Sequence, residues 1–566
     1  MSSAALTQPT PEEPPPAGLT WRELALVGLA LGVLSLLMLW PLPRVFAREL
    51  LGGGDTFVFT WNFWWFKRAL LAGQNPFFTD RIYHPTGASL WFHDFSPANN
   101  LLALPLVGRL PLPAVLNSLA LFSFVATGLA TYALTRRVVG HVGGSFVAAL
   151  VVTFAPYRMG HAMGHLSLIS TQWLPLFVLA ALRSVDEPRR RWPLLAALAW
   201  ALCLCSSPYY ALYPALFLLA WLPRRARHGL PPGAWRRLAL IVVGAVVLTA
   251  WFTVPAFLAL RREPHGLGAH DPRMFSADLL TFLAPSPVSL FYLPPFSDWW
   301  TAAGLYSLAP ELSLYLGVVL VGLALVGGVR ERAARPWLWV ALIFLVLALG
   351  PTLRVWGRDT GVPLPYALLA KLPVFRLAGV PARLSFMAVL CLALAAGYGV
   401  AALARGRWRG SEWLLAGLVC VEYCCAPVLT TPDPATGFYH RLAAEPGDFA
   451  VLDVPDLARA MHCQTLHGKR LLLGRHSYPP HASTRLCEED KALRALWVTW
   501  AKCPEGPDVG PRVRAVLRGV NCRYLIAHGD FRRAWIEGTL GLTKVYEDAE
   551  LRVYSTAAPA ASPARR

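Results

Sequence analysis

The chain is a succession of long apolar runs separated by short clusters of arginine, and that alternation limits what it can become. Of its 566 residues 55% are hydrophobic. Soluble chains reach roughly 45–50% even with glycine counted, and here the excess is concentrated in the runs. A run of about 20 apolar residues spans a hydrocarbon core of ~30 Å, so the chain reads as a polytopic membrane protein with an all-α membrane domain. The net charge of +19 does not point to nucleic acid. Most of the arginines sit between runs, at Arg136-Arg137, "EPRRRW" (187–192), "RRARHGLPPGAWRR" (224–237), "RERAAR" (330–335) and "RGRWRG" (405–410). Positive charge retained on the cytoplasmic side gives that pattern.

With the basic clusters inside, segments 44–95, 158–166, 261–310 and 353–383 fall outside. About eleven spans then lie near 23–43, 112–135, 141–157, 167–183, 193–206, 207–223, 238–260, 311–329, 337–352, 384–404 and 411–429. An odd count puts the N-terminus inside and the C-terminus outside a bacterial cytoplasmic membrane. Segments 193–206 and 207–223 are short and read as a re-entrant pair around "SSPYY". The stretch 97–111 is short and broken by proline, and reads as interfacial. Residues 1–20 are Pro-rich and polar, the composition of a disordered cytoplasmic tail. The run that follows reads as a retained anchor and not as a cleaved signal.

After about residue 430 the pattern changes. "FAVLDVP", "RLLLGRHS", "CRYLIAHGD" and "LRVYST" read as strands, and "EDKALRALWVTWA" and "VRAVLRGV" as helices. Residues 430–566 are expected to form a small α/β domain outside. Four of the ten cysteines lie there, Cys463, Cys487, Cys503 and Cys522. An oxidising compartment predicts at least one disulfide among them, from three pairings.

The first outer loop, 44–95, carries one acid, Asp55, at the head of "GDTFVFTWNFWW". The aromatic residues Trp61, Trp64 and Trp65 suit a membrane interface. No P-loop, dinucleotide fingerprint, H-E-x-x-H or nucleophile elbow occurs. Together with "NPFFTDRIYHPTG", "APYRMGHAMGHLSLISTQWLPL", "PELSLYLG", "FRLAGVPARLSF" and "QTLHGK", the order and spacing of these segments resemble the GT-C membrane glycosyltransferases, and more closely a bacterial branch described as GT-C-like. The resemblance implies inverting transfer of a sugar from a polyprenyl-phosphate donor to a glycan, lipid or protein acceptor at the outer face. It also implies that the first-loop acid acts as base or metal ligand. GT-C enzymes carry two acids at that motif, whereas Asp55 is followed by Thr56 and Phe57. Asp80 or Asp94 would have to supply a second carboxylate through folding, and a divalent metal ion remains an open cofactor.

The chemistry names further candidates. A leaving lipid phosphate gains charge and needs cations. Arg158, His161 and His165 lie in one outer turn, with the histidines one helical turn apart. Arg376 and Arg383 stand outside, against the charge bias, and Arg81 lies beside Asp80. Glu311 opens a span, where an acid also suits the helix dipole. Gln464 and His467, with Lys469, offer hydroxyl or phosphate partners, as ordinary surface residues also do. The alternative function is a non-catalytic membrane protein, a transporter or an envelope-polysaccharide assembly factor. A transporter is expected to show internal repeats and polar mid-span residues, neither of which is evident.

Overall fold

A computed structural model of the chain describes residues 19–262, 271–406, 410–435 and 437–557, with the side chains of 376–378 left out. The expected tail therefore lies largely outside the described residues, as does the middle of the 405–410 cluster.

The first part is a helical bundle. Six helices are long and apolar enough to cross a membrane: Trp21–Met38, Leu112–Val139, Val142–His161, Leu166–Asp186, Ala234–Arg262 and Pro381–Ala404. The other five expected ranges hold shorter helices, Arg191–Ser206, Leu212–Ala226, Val318–Arg330, Arg335–Ala348 and Ser411–Glu422. Arg191–Ser206 and Leu212–Ala226 meet through a tight turn, Pro208–Ala211, that buries Tyr210. Helices Val142–Phe154 and Ser385–Ala404 are almost wholly buried, whereas Ala234–Arg262 exposes Val243, Val246, Val247 and Trp251. An apolar face without protein cover is the face a lipid bilayer solvates.

The bundle has two chemically different ends. At one, Arg136 pairs with Glu23 at 2.6 Å, Arg137 and Arg225 with Asp186 at 3.0 and 3.6 Å, and Arg405 with Glu331. At the other, Asn117 near the start of Leu112–Val139 fastens the first loop. Its amide donates to the carbonyls of Phe46 and Glu49 at 2.9 and 2.7 Å, and its oxygen accepts from the Leu51 amide at 3.0 Å.

From about residue 430 the chain builds a five-stranded sheet. Its spatial order is Thr543–Glu547, Leu551–Ser555, Cys522–His528, Ala450–Val454, Arg470–Leu471. The last three run parallel, and the first two are added antiparallel. A short strand, Thr430–Pro432, pairs with Glu49–Leu51 and ties the start of this region to the first loop. "RLLLGRHS" forms a strand only at Arg470–Leu471, and beyond it the chain turns toward the bundle.

Two expectations are corrected. The aromatic run is not an interfacial belt on lipid. It is a helix, Thr56–Leu71, in which Trp61 and Trp65 are fully buried. Phe57, Phe59 and Phe63 pack in the bundle core, while Trp61, Trp65 and Phe66 pack in the core of the sheet domain. Trp61 Nε1 donates to Gln464 Oε1 at 2.6 Å, and Thr60 Oγ1 lies 2.6 Å from His462 Nδ1. The expected disulfide is also absent, since Cys463, Cys487, Cys503 and Cys522 are free thiols. Three of them are buried, as small apolar packing units.

The helix therefore joins two cores, with Trp61 on its sheet-domain side, and Trp61→Ala is expected to lower stability by ~3–5 kcal/mol. Limited proteolysis of the variant should release the sheet domain at a protease dose that leaves the wild-type chain whole.

Candidate functional site

The loops at the Asn117 end enclose a chamber of about 740 Å³. Asp55 enters it because of the turn before it. Gly52 has φ +80°, and a Cβ there would stand 2.4 Å from the Met163 carbonyl carbon, so only glycine lets the two loops touch. The Gly53 amide donates to the Met163 carbonyl at 3.0 Å. Asp55 starts the aromatic helix without capping it with its side chain. Its carboxylate, 40% exposed, lies 3.7 Å from His165 Nε2 and 3.4 Å from Arg475 Nε.

A second close approach brings the histidines to Glu311. A Cβ on Gly160 would stand 2.8 Å from the Ser313 Cβ and 3.1 Å from the Pro310 carbonyl oxygen, so glycine lets the turn 156–161 approach 309–313 closely. His161 Nε2 then lies 3.8 Å from Glu311 Oε2, and the two Nδ1 atoms of His161 and His165 are 3.3 Å apart. Arg383 grips Glu311 with a two-pronged fork, one prong at 2.9 Å, and its guanidinium lies 4.1 Å over the Tyr209 ring. Burial alone would raise the Glu311 carboxyl, but the Arg383 charge overrides it and holds the group below the usual carboxylate range.

Asp94 supplies a third carboxylate of the chamber, beside Asp55 and Glu311. It accepts from the Ser167 hydroxyl at 2.9 Å. Burial pushes its carboxyl up to about 6, against the lowering effect of that hydrogen bond, and the nearby charge of Asp55 adds to the rise. Next to it, His93 is buried, lies 3.1 Å from Asn62 Oδ1, and is kept neutral by burial.

The other candidates lie elsewhere. Arg158 is completely buried behind the chamber. It donates to the carbonyls of Thr153 and Ile169 at 2.7 and 2.8 Å and to Ser123 Oγ at 3.0 Å, and it covers the Phe124 ring at 4.3 Å. It locks helices together and does not face a ligand. Asp80 and Arg81 pair at 3.4 Å, and Asp80 also meets Arg470 at 3.3 Å, at the seam with the sheet domain. Gln464 belongs to the same seam, and His467 lies within the sheet domain. Gln464 donates to the Arg81 and Lys469 carbonyls at 2.7 and 2.8 Å, and the His467 ring stacks on Tyr439. The side chain of Arg376 lies outside the described residues.

Sequence reasoning passed over Arg475, Tyr209, His93 and Tyr478, all of which line the chamber. No local pattern marks them, because they converge only through tertiary contacts. Below the polar groups the wall is apolar, formed by Trp200, Leu204, Val242, Val246 and Phe257. Val242, Val246 and Phe257 belong to Ala234–Arg262, and Trp200 and Leu204 to its neighbour Arg191–Ser206.

His161, His165 and Glu311 offer ligand atoms within 4.8 Å of one another. His161 Nε2 is buried without a hydrogen bond, so a donor atom remains to be used. Two imidazoles and a carboxylate suit a divalent transition metal, and the residues fit such an ion.

Asp94 gives a pH signature. Its folded-state pKa is raised from 3.8 to about 6, so protonation stabilises the fold. That contribution is complete below about pH 4 and lost as pH rises through about 6. Asp94→Asn should flatten the change in unfolding midpoint across this window, as read by thermal unfolding in detergent from pH 4 to 7.

A comparison with curated proteins finds no match. Among solved structures, the mycobacterial arabinofuranosyltransferase AftD superposes with a TM-score of 0.61 at 16% identity, covering 96% of this chain. A second structure of AftD, a mutant, gives 0.56 at 16% identity, over 96% of this chain and 42% of that one. The chain spans only 40% of the length of the first. An oligosaccharyltransferase from Archaeoglobus fulgidus gives 0.49 at 14% identity, over 94% of this chain and 73% of that one. The fold is the one seen in AftD. Residues 26–424 match a single family model, and the chain belongs to that family, described as Domain of unknown function (DUF6311).

Proposed function

We propose that the protein transfers a sugar from a polyprenyl-phosphate donor to an acceptor at the outer face of the cytoplasmic membrane. One observation carries this reading. The chamber joins three carboxylates, Asp55, Asp94 and Glu311, and two arginines, Arg383 and Arg475, to an apolar wall that continues along Ala234–Arg262, whose outer face has no cover from the described residues. A charged head on a long hydrocarbon tail needs that combination, and a freely soluble sugar nucleotide does not.

The geometry supports a role for each group. Asp55 is the base that accepts the proton of the attacking acceptor hydroxyl. It is exposed enough to meet a substrate and anchored at a helix start that two cores hold. Arg383 and His165 face the leaving phosphate, where negative charge grows. Arg383 is oriented for this by its fork to Glu311 and by Tyr209. Asp94, with its raised pKa, holds a proton near neutral pH more readily than an ordinary aspartate and hydrogen-bonds sugar hydroxyls. A divalent ion held by His161, His165 and Glu311 would add positive charge for the departing phosphate.

The two ends of the bundle support an orientation. The arginine clusters Arg136, Arg137, Arg225 and Arg405 lie at the end away from the chamber. With these inside, chamber and sheet domain lie outside. A reporter active only in the cytoplasm, fused after Tyr554, should be silent, and a strong signal from it would reverse the orientation.

Removing a general base typically costs ~10²–10⁴ in rate. Asp55→Asn should therefore insert into membranes at wild-type levels and transfer sugar from polyprenyl-phosphate donors ~10²–10⁴ more slowly. Full transfer by this variant would remove Asp55 as the base. Absence of transfer by the wild-type chain across a panel of such donors would favour a non-catalytic membrane protein instead.

A further inference from the structure

One wall of the chamber is contributed by the sheet domain. Residues 474–478, "GRHSY", leave the edge strand Arg470–Leu471 and run into the first loop, where several contacts fix their backbone. Tyr83 donates its hydroxyl hydrogen to the Gly474 carbonyl at 2.6 Å. The Tyr478 amide donates to His476 Nδ1 at 3.0 Å, which leaves the proton on Nε2, and Nε2 donates to the Ser89 carbonyl at 2.8 Å. The Asp94 amide donates to Ser477 Oγ at 3.2 Å, and the Arg475 amide reaches the Met461 sulfur at 3.1 Å. A Cβ on Gly474 would stand 2.9 Å from the Ile82 side chain, so the strand of chain is pressed against the loop.

The backbone of Arg475 is held in this way, but its side chain is 60% exposed inside the chamber. Among the described residues it meets one acid, Asp55, with Nε 3.4 Å from Oδ1. That separation is longer than the 2.7–2.9 Å of a good charge-assisted bond. Arg383 differs, since two of its nitrogens are occupied by Glu311. Arg475 is thus the arginine in the chamber with the most donor capacity left for a ligand. A phosphate offers a guanidinium more charge and more acceptor oxygens than a carboxylate does.

We propose that Arg475 is a donor-operated latch on Asp55. Without donor it pairs with the Asp55 carboxylate. The phosphate of a polyprenyl-linked sugar draws it away and leaves Asp55 without its cation. Seating the donor thus uncovers the Asp55 carboxylate on the side where Arg475 had stood, so that an acceptor hydroxyl can reach it. The proposal rests on the transferase reading above and adds to it that the sheet domain, not only the bundle, handles the lipid phosphate.

The test uses binding alone, with the full chain in detergent and two probes, undecaprenyl phosphate and the neutral alcohol undecaprenol. Wild-type protein should prefer the phosphate. Arg475→Gln should weaken phosphate binding by roughly 10–100-fold, the worth of a hydrogen bond to a charged group, and leave the alcohol unaffected. Arg475→Lys should recover part of the loss. Asp55→Asn should tighten phosphate binding about twofold to fivefold, as expected for removing a partly exposed ion pair that competes with the ligand. In the Arg475→Gln background that tightening should vanish, which separates a latch from simple repulsion between Asp55 and the phosphate. Phosphate preference in the wild type with no loss in Arg475→Gln, or tightening that persists in the double variant, overturns the latch and leaves the transferase reading standing. A wild-type chain that binds phosphate and alcohol alike overturns both.

Discussion

The helix Thr56–Leu71 belongs to two cores at once, and the chamber exists because of it. Phe57, Phe59 and Phe63 fix it to the bundle, and Trp61, Trp65 and Phe66 fix it to the sheet domain. Each face alone would leave large aromatic surface uncovered. Two polar contacts of this helix across the seam, Trp61 with Gln464 and Thr60 with His462, help set the register of one domain on the other. Asp55 stands at the first turn of this shared helix, so its position is set by both cores. Arg475 reaches the same carboxylate from the far side of the seam.

Charge is distributed within the fold according to what must stay fixed. Arg158 has no acid partner among the described residues and is held by two carbonyls, a hydroxyl and an aromatic face. Such a cation cannot move without leaving buried acceptors unpaired. Glu311 and Arg383 neutralise one another in a fork, which keeps both charged in a half-dry site. Asp55 and Arg475 are the looser pair, partly exposed and at longer distance. The fold thus grades its ion pairs from rigid to exchangeable toward the chamber.

Much of the bundle was legible because apolar runs and arginine clusters are local signals, and every expected span contains a helix. Asp55, His161, His165, Glu311 and Arg383 were also legible, since ionisable residues beside spans are costly and stand out. Their convergence needed Gly52 and Gly160, whose role is visible only when two backbones touch. The aromatic run misled for a physical reason. Hydrophobicity reports that a surface avoids water, and it does not say whether lipid or protein will cover it. Arg475 was invisible because it is one of 52 basic residues in a segment that reads as a strand. The thiols were misread because compartment chemistry permits a disulfide, while pairing requires geometry that separate core positions do not offer.

The seam also imposes an order on synthesis. Trp61 and its partner Gln464 are 403 residues apart in the chain. At ~5–20 residues per second, a ribosome needs about 20–80 s to travel from one to the other. During that interval the bundle face of the aromatic helix can be satisfied, but Trp61, Trp65 and Phe66 have no sheet domain to meet. The surface of the bilayer, or a chaperone beside it, is the cover at hand. The last quarter of the chain therefore displaces a provisional partner when it docks, and the chamber is completed only at that moment.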